Sequence, residues 1–289
     1  MRKALAFDVG GTKIYSSIVN EKGQIIGEIN KYKTPTTFDG FIELYTQIIS
    51  KYEPEVDAIA FATAGAVNNK NTRVISSTAN LIENYRDIDF TSLSKKRVLV
   101  ENDANAAAWA EHKIGASKGY PISIMLTLGT GVGGGIILNN KLYKGKSGAA
   151  GEMHFKMYPD KRRKCTCGAY DCFEAYASGT GLRTTAQLML EDTSITTYDV
   201  IEGLKSGDEQ MIKIFNTWQN DLLAGIIGLS NIFDPHCIVL SGSMAEFVDV
   251  KYLEEETNKE ILCMPIKVLR ATMGNYSGMI GAALLALEA

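Results

Sequence analysis

Three cysteines fall within eight residues, Cys165, Cys167 and Cys172, in the stretch KCTCGAYDCFEAYASGTG. Thiols at this spacing offer disulfide, redox or metal chemistry. The two others, Cys237 and Cys263, stand apart in apolar surroundings and read as small core residues. A second candidate is Asp103, which closes the run VLVEND just before the alanine-rich ANAAAWAEHKI. A carboxylate there serves as a helix N-cap, worth about 1 kcal/mol, or as a catalytic base at the carboxyl end of a strand. Capping accounts for one acidic residue but not for three successive polar side chains, Glu101, Asn102 and Asp103. A third candidate is the pair of glycine-rich turns, FDVGGTK and LGTGVGGG. Glycine lets backbone amides approach a phosphate closely. Neither turn opens into a helix, as a Walker or dinucleotide loop does, and each alone reads as a glycine hairpin. As a pair, with Asp8, Thr12 and Lys13 beside the first, they suit a magnesium nucleotide.

These residues need elements to hold them. KALAFDV, KIYSSIV and QIIGEINKYKT read as three strands joined by GGT and NEKG, and ISIMLTL, GGGIILN and KLYKGK repeat that plan. A repeat at about 120 residues predicts two structurally duplicated halves. FIELYTQIISKY has helical spacing, VDAIAFATAG and RVLVEND read as buried strands, and EQMIKIFNTWQNDLLAGIIGLSNIF as a long amphipathic helix. Strands alternating with helices place the chain in the α/β class. The expected division is an N-terminal lobe over 1–116, completed by a C-terminal helix over 276–289, and a larger lobe over 117–275 that carries the cysteine loop.

Composition narrows the partners. With 289 residues, 45% hydrophobic, 22% charged and a net charge of −3, the chain has room for two cores and no basic balance for nucleic acid. The run KRRK, 161–164, reads as a solvated loop. No apolar stretch predicts a membrane span and the N-terminus lacks a signal-peptide core, so a cytoplasmic location is expected. A reducing compartment argues against a disulfide framework and leaves metal binding or catalysis for the cysteines.

With FDVGGTK, ENDANAAAWAE, LTLGTGVGGG, GAAGEMHF and CTCGAYDCFEAYASG in this order, the sequence resembles the ROK family of sugar kinases over essentially its whole length. The resemblance implies a two-lobed actin-like ATPase fold, ribonuclease H-like, with duplicated mixed-sheet domains and a cleft between them that closes on the sugar. It implies transfer of the γ-phosphoryl group of ATP to a hexose hydroxyl, that on carbon 6, as in glucokinases. An N-acetylmannosamine or other N-acetylhexosamine kinase is the alternative. Asp103 matches the base that accepts the hydroxyl proton. Gly65, Asn80, Asn102, Glu152, His154 and Glu174 match the sugar pocket. Asp8, Gly10, Gly11, Thr12 and Lys13 match the first phosphate motif, with Asp8 acting on Mg2+ through water. Gly129, Thr130, Gly131, Gly133 and Gly134 match the second, and Gly242 the adenosine turn. Cys165, Cys167, Cys172 and His154 match a structural Zn2+ site.

The sequence departs from the family pattern in three places. GEMHF lacks the glycine usual before the histidine, so His154 comes one residue early relative to Glu152; Asp171 stands where a glycine usually precedes the third cysteine; and Ser241, Gly242 and Ser243 replace paired glycines. Regulators in the same family supply a second class of function, a sugar-responsive protein without a DNA-binding domain. A homodimer is expected from similar proteins.

Overall fold

The computed structural model describes residues 1–76, 81–160 and 162–288. Strand β1 (Lys3–Val9) pairs antiparallel with β2 (Lys13–Asn20), which pairs antiparallel with β3 (Ile25–Lys33), giving the expected meander. Helix α1 (Phe38–Tyr52) begins where the Thr37 hydroxyl accepts from the Gly40 N–H, and buries Phe41, Tyr45, Ile48 and Ile49 on one stripe. Strand β4 (Ala58–Thr63) lies parallel to β1, and a short hairpin of β5 (Ala66–Val67) and β6 (Val74–Ser76) follows. Strand β7 (Arg97–Asn102) runs parallel to β4 and passes directly into α2 (Asp103–Ile114). The first sheet therefore has the order β3-β2-β1-β4-β7.

Alternation along β1 and β4 gives this sheet two different faces. Leu5, Phe7, Ile59 and Phe61 join Phe41, Tyr45, Tyr85 and Phe90 in a core of large side chains. Phe7 and Phe61 stack with ring centroids 4.6 Å apart. Ala4, Ala6, Ala58, Ala60 and Ala62 point the other way, into a second core of small residues. Small side chains there let a helix approach the sheet closely.

The second sheet repeats the plan. Strands β8 (Ser123–Leu128), β9 (Val132–Leu138) and β10 (Lys141–Leu142) precede the cysteine loop. Helices α3 (Glu174–Ala177), α4 (Gly179–Leu190), α5 (Thr197–Ser206) and α6 (Glu209–Phe233) follow it. Strand β11 (Cys237–Ser241) runs parallel to β8, and after α7 (Val250–Glu260), β12 (Lys267–Arg270) runs parallel to β11. The order β10-β9-β8-β11-β12 matches that of the first sheet strand for strand. Trp109 and Trp218 are both buried; the indole N–H of Trp218 donates to the Ser178 carbonyl at 2.9 Å. Cys237 is buried in β11, whereas Cys263 lies in a turn and is partly exposed, so only the first is a core residue.

The chain closes with α8 (Ser277–Glu288), which covers the small-residue face of the first sheet and packs on α2. A β-carbon on Gly281 would stand 1.7 Å from the Ala106 carbonyl oxygen, so the two helices meet backbone to backbone only because residue 281 is glycine. Glu111, fully buried in α2, accepts from the Thr272 and Met273 N–H groups, each at 2.8 Å, and so fixes the approach to α8. The chain forms two compact units, one of 1–121, 135–151 and the segment from Ala271, the other of Ile122–Gly134 and Glu152–Arg270. Among the described residues no helix is long and apolar enough to cross a membrane.

Candidate functional site

In the first unit, β1, β4 and β7 run parallel, so their carboxyl ends share one edge, where α/β folds bind ligands. Asp8 pairs across to Ala62, and Ala62 to Glu101; Thr63 pairs with Asn102. Burial, and then the neighbouring Asp103, push the Asp8 carboxyl up to about 7. Asp103 is reached by solvent at its surface, yet stands amid dense protein, and that loss of hydration raises its pKa. Its Oδ1 accepts from the Ala104 N–H at 2.8 Å, which opposes the rise only in part. Two neighbouring carboxylates whose pKa values are both raised are poised to take a cation or a proton.

The helix cap is Asn102, not Asp103. The Asn102 Oδ1 accepts from the Asn105 N–H at 3.0 Å, and its Nδ2 donates to the Gly65 carbonyl at 3.1 Å. Asp103 is thereby released from capping and heads the helix as its first residue. Gly65 has φ of +99°, and a β-carbon there would lie 2.2 Å from the Ser76 carbonyl oxygen. Only glycine brings that carbonyl to Asn102. Gly10 to Thr12 form the β1–β2 turn; the Gly10 N–H donates to the Lys13 carbonyl at 3.0 Å, and the Thr34 hydroxyl donates to the Gly10 carbonyl at 2.6 Å. Gly11, Thr12 and Lys13 are exposed on that turn. Asn80 lies outside the described residues.

In the second unit the turn Gly129–Gly131 joins β8 to β9, and Gly133 and Gly134 lie within β9. The Gly179 N–H donates to the Gly129 carbonyl at 2.8 Å, bringing the start of α4 to the turn. Gly242, with φ of +87°, presses on the end of β8; a β-carbon there would meet the Leu128 carbonyl oxygen at 2.4 Å. Glu174 reaches the same turn. Its Oε2 accepts from the Val132 N–H at 3.0 Å and sits where a side chain on Gly131 would be. Its Oε1 accepts from the Thr166 hydroxyl and lies 3.5 Å from Nε2 of His154. Burial acts to raise the Glu174 pKa, but His154, Thr166 and the Val132 N–H outweigh it and hold the carboxyl down to about 2. Sequence spacing gave no sign of this contact with the Gly129–Gly131 turn.

His154, Cys165 and Cys167 offer ligand atoms that all lie within 4.8 Å of one another, and the sulfurs of Cys167 and Cys172 are 3.6 Å apart. Sulfurs on a zinc tetrahedron with bonds near 2.3 Å stand about 3.8 Å apart. The chemistry of His154, Cys165 and Cys167 and their mutual spacing fit one zinc ion, with His154 in the group despite the shortened GEMHF spacing, whereas Cys172 adjoins it through Cys167 and is not within 4.8 Å of all three. Glu152 Oε2 lies 3.6 Å from Nδ1 of His154. Glu174 is the largest cause of a raised His154 pKa.

In the basic run Arg162 and Lys164 are exposed, as a solvated loop requires, and Arg163 is half-buried. Arg162, Arg163 and Lys164 line a cavity of about 240 Å³ together with Thr130, Thr180 and Thr184. Arg163 stacks over the Tyr176 ring at 4.3 Å. Asp171, in the left-handed region at φ of +58°, folds the loop back by accepting the N–H groups of Arg162 and Arg163 at 3.1 and 2.9 Å. Lys161 lies outside the described residues. This cavity, which the Glu174 carboxylate also lines, places cationic and hydroxyl groups beside Thr130 of the glycine turn.

The chain is similar to known proteins over nearly its whole length. The ROK family model matches residues 4–289. A glucokinase of Streptomyces coelicolor is 32% identical over 320 residues, covering 100% of this chain and 98% of its own. An N-acetylmannosamine kinase of Yersinia pseudotuberculosis is 32% identical over 295 residues, with 99% of each chain covered. A ROK family glucokinase of Streptomyces griseus, crystallised with glucose and AMPPNP, superposes with a TM-score of 0.82 at 30% identity, covering 99% of this chain and 100% of that one.

Proposed function

Because the chain belongs to the ROK family, we propose that it phosphorylates glucose on the hydroxyl of carbon 6. It is an ATP-dependent sugar kinase with the actin-like ATPase fold. The glucokinases of the two Streptomyces species support glucose as acceptor. The N-acetylmannosamine kinase of Yersinia, as similar over as much of the chain, supports an N-acetylhexosamine as the second reading.

The observation that carries the mechanism is Asp103 heading α2 while Asn102 takes over the cap. Asp103 accepts the proton of the attacking hydroxyl. Loss of hydration raises its pKa above the ordinary aspartate value, making it a stronger base than a free carboxylate. In a loose phosphoryl-transfer transition state, alignment and charge stabilisation contribute more than proton removal. Asn102 and Gly65 hold the sugar side of this edge; Asn80, Glu152, His154 and Glu174 belong to the same assignment. Asn102 keeps a second amide hydrogen and a second lone pair for a sugar hydroxyl after capping. The amides of Gly10–Lys13 and of Gly129–Gly134 hold phosphates, and Gly242 and the basic cavity at Thr130 receive the rest of the nucleotide. Asp8 fits the water shell of magnesium, since its carboxyl bears an uncompensated neighbour in Asp103. Magnesium bound with ATP supplies charge neutralisation on the phosphates. His154, Cys165, Cys167 and Cys172 would hold zinc, which supplies a structural cross-link between the segments bearing Glu152 and Glu174.

A homodimer and a cytoplasmic location complete the proposal. The test is an ADP-release assay over glucose, mannose, fructose, N-acetylglucosamine and N-acetylmannosamine. Glucose should give the highest kcat/KM. N-acetylmannosamine in that place would select the second reading, and turnover on none would overturn both.

A further inference from the structure

The residue before the Asn102–Asp103 pair is a glutamate with no place in the reading so far. Glu101 is the fifth residue of β7, in a strand whose neighbours Leu99 and Val100 belong to the apolar cores. It is 1% exposed. A carboxylate in that position is costly unless its oxygens are met by donors. Each of them is. Oε2 accepts from Nδ2 of Asn71 at 2.6 Å and lies 2.9 Å from Nζ of Lys144. Oε1 accepts from the backbone N–H of Asn102 at 2.9 Å and from Nδ2 of Asn105 at 3.3 Å.

The partners are themselves fixed. Asn71, left-handed at φ of +58°, exchanges backbone bonds with β7: the Val100 N–H donates to its carbonyl at 2.8 Å, and its Nδ2 donates to the Val100 carbonyl at 2.7 Å. Lys144 is only 12% exposed and also donates to the Asn68 carbonyl at 3.1 Å. Asn69 donates to the carbonyls of Gly145 and Lys146, each at 3.0 Å, so the two residues after Lys144 are tied to the segment that carries Asn68 and Asn71. Gly148 closes against the Val67 carbonyl, where a β-carbon would stand at 1.9 Å.

Buried ion pairs of this kind are weak evidence for stability, since a well-packed apolar pair often does as well. Their better use is to fix geometry. Here one oxygen of the pair is spent on the peptide N–H that joins the strand to the residue preceding Asp103, and on the side chain of the third helical residue. We infer that Glu101, held by Lys144, is a positioning residue for the phosphoryl transfer, fixing the strand-to-helix junction so that the Asp103 carboxylate points at the acceptor hydroxyl. The inference rests on the assignment of Asp103 as the base. Asn102 itself is held independently by Gly65 and by its cap bond, so sugar binding depends on Glu101 less than the aim of Asp103 does.

The test compares Glu101→Gln, Lys144→Met and Lys144→Arg with Asp103→Asn, assayed on the preferred sugar well below each variant's melting temperature. Gln turns a donor toward Lys144 and Asn71; Met removes the cation and leaves the carboxylate without its counter-charge. Each should lower kcat about 10- to 100-fold, the scale of an ångström-level misplacement. KM for ATP and for the sugar should stay within about threefold, and Lys144→Arg should recover kcat to within about threefold, as a pair that positions by charge requires. Wild-type kcat in folded Glu101→Gln beside an inactive Asp103→Asn overturns the positioning role alone. So does a loss that follows the fraction unfolded, or one confined to KM. An active Asp103→Asn overturns the base assignment instead. If Glu101→Gln does not fold, Lys144→Met decides by the same criteria, because its side chain lies nearer the surface.

Discussion

Asp8→Asn should make the nucleotide-free protein more stable while removing its activity. The Asp8 carboxyl is pushed from 3.8 up to about 7 by burial and then by Asp103. The folded state thus binds a proton more tightly than the unfolded chain. For a carboxyl with a raised folded pKa, stability is greatest below the unfolded value and is lost as pH rises through the folded one. The full shift corresponds to about 4 kcal/mol above pH 7. Asp8 is partly exposed, and solvent screening reduces this to about 2–3 kcal/mol. Asparagine keeps the shape and abolishes the charge, so the variant should gain most of that at pH 8 and much less at pH 5. Urea denaturation at both pH values, without magnesium or nucleotide, measures the difference. An equal effect at pH 5 and pH 8, or a loss of stability at pH 8, would refute the reasoning that Asp8 is an uncompensated carboxylate. The same charge that weakens the free protein is what the proposed magnesium site uses, so turnover should fall with the substitution even as the fold tightens.

Two further outcomes follow from the packing and the cysteine loop. Gly281→Ala places a methyl 1.7 Å from the Ala106 carbonyl oxygen and must push α8 from α2, at a cost of about 2–4 kcal/mol in denaturant unfolding. Gly228→Ala in α6, where a β-carbon meets nothing within 4 Å, should instead be neutral or stabilising, and equal effects at the two sites would contradict the packing account. The purified protein should carry one zinc per chain; its verified removal should lower Tm by several degrees or raise the sugar KM, because the cross-link that spaces Glu152 from Glu174 is lost. Unchanged stability and KM after removal would rule that role out.

Much of this was legible in the residues because the chemistry and the backbone needs coincide. The two meanders are visible because each glycine turn separates apolar runs that alternate side chains between two faces, as Leu5 and Phe7 do against Ala4 and Ala6. The polar run Glu101–Asp103 stands out in the sequence because nothing in a buried strand otherwise calls for three hydrophilic side chains. The division of labour within it was not legible. Asparagine and aspartate both cap helices, and only the bond from Asn105 to Asn102 decides which of the two is free for chemistry. The partner of Glu101 lies in a different segment, 43 residues on, and no local pattern announces a pairing that the folded chain alone creates. Within the basic run Arg163 departs from the solvated reading for the same reason. Asp171 turns the loop back so that Arg163 meets Tyr176, while Arg162 and Lys164 stay exposed at the rim of the same cavity.

The central claim, ATP-dependent phosphorylation of a hexose, is tested most directly by following ADP and sugar phosphate together for the purified protein with magnesium, ATP and each sugar of the panel. The account predicts one ADP for each sugar phosphate formed, with glucose giving the highest kcat/KM. ADP release that does not depend on sugar, or no phosphorylated sugar from any member of the panel, would contradict it.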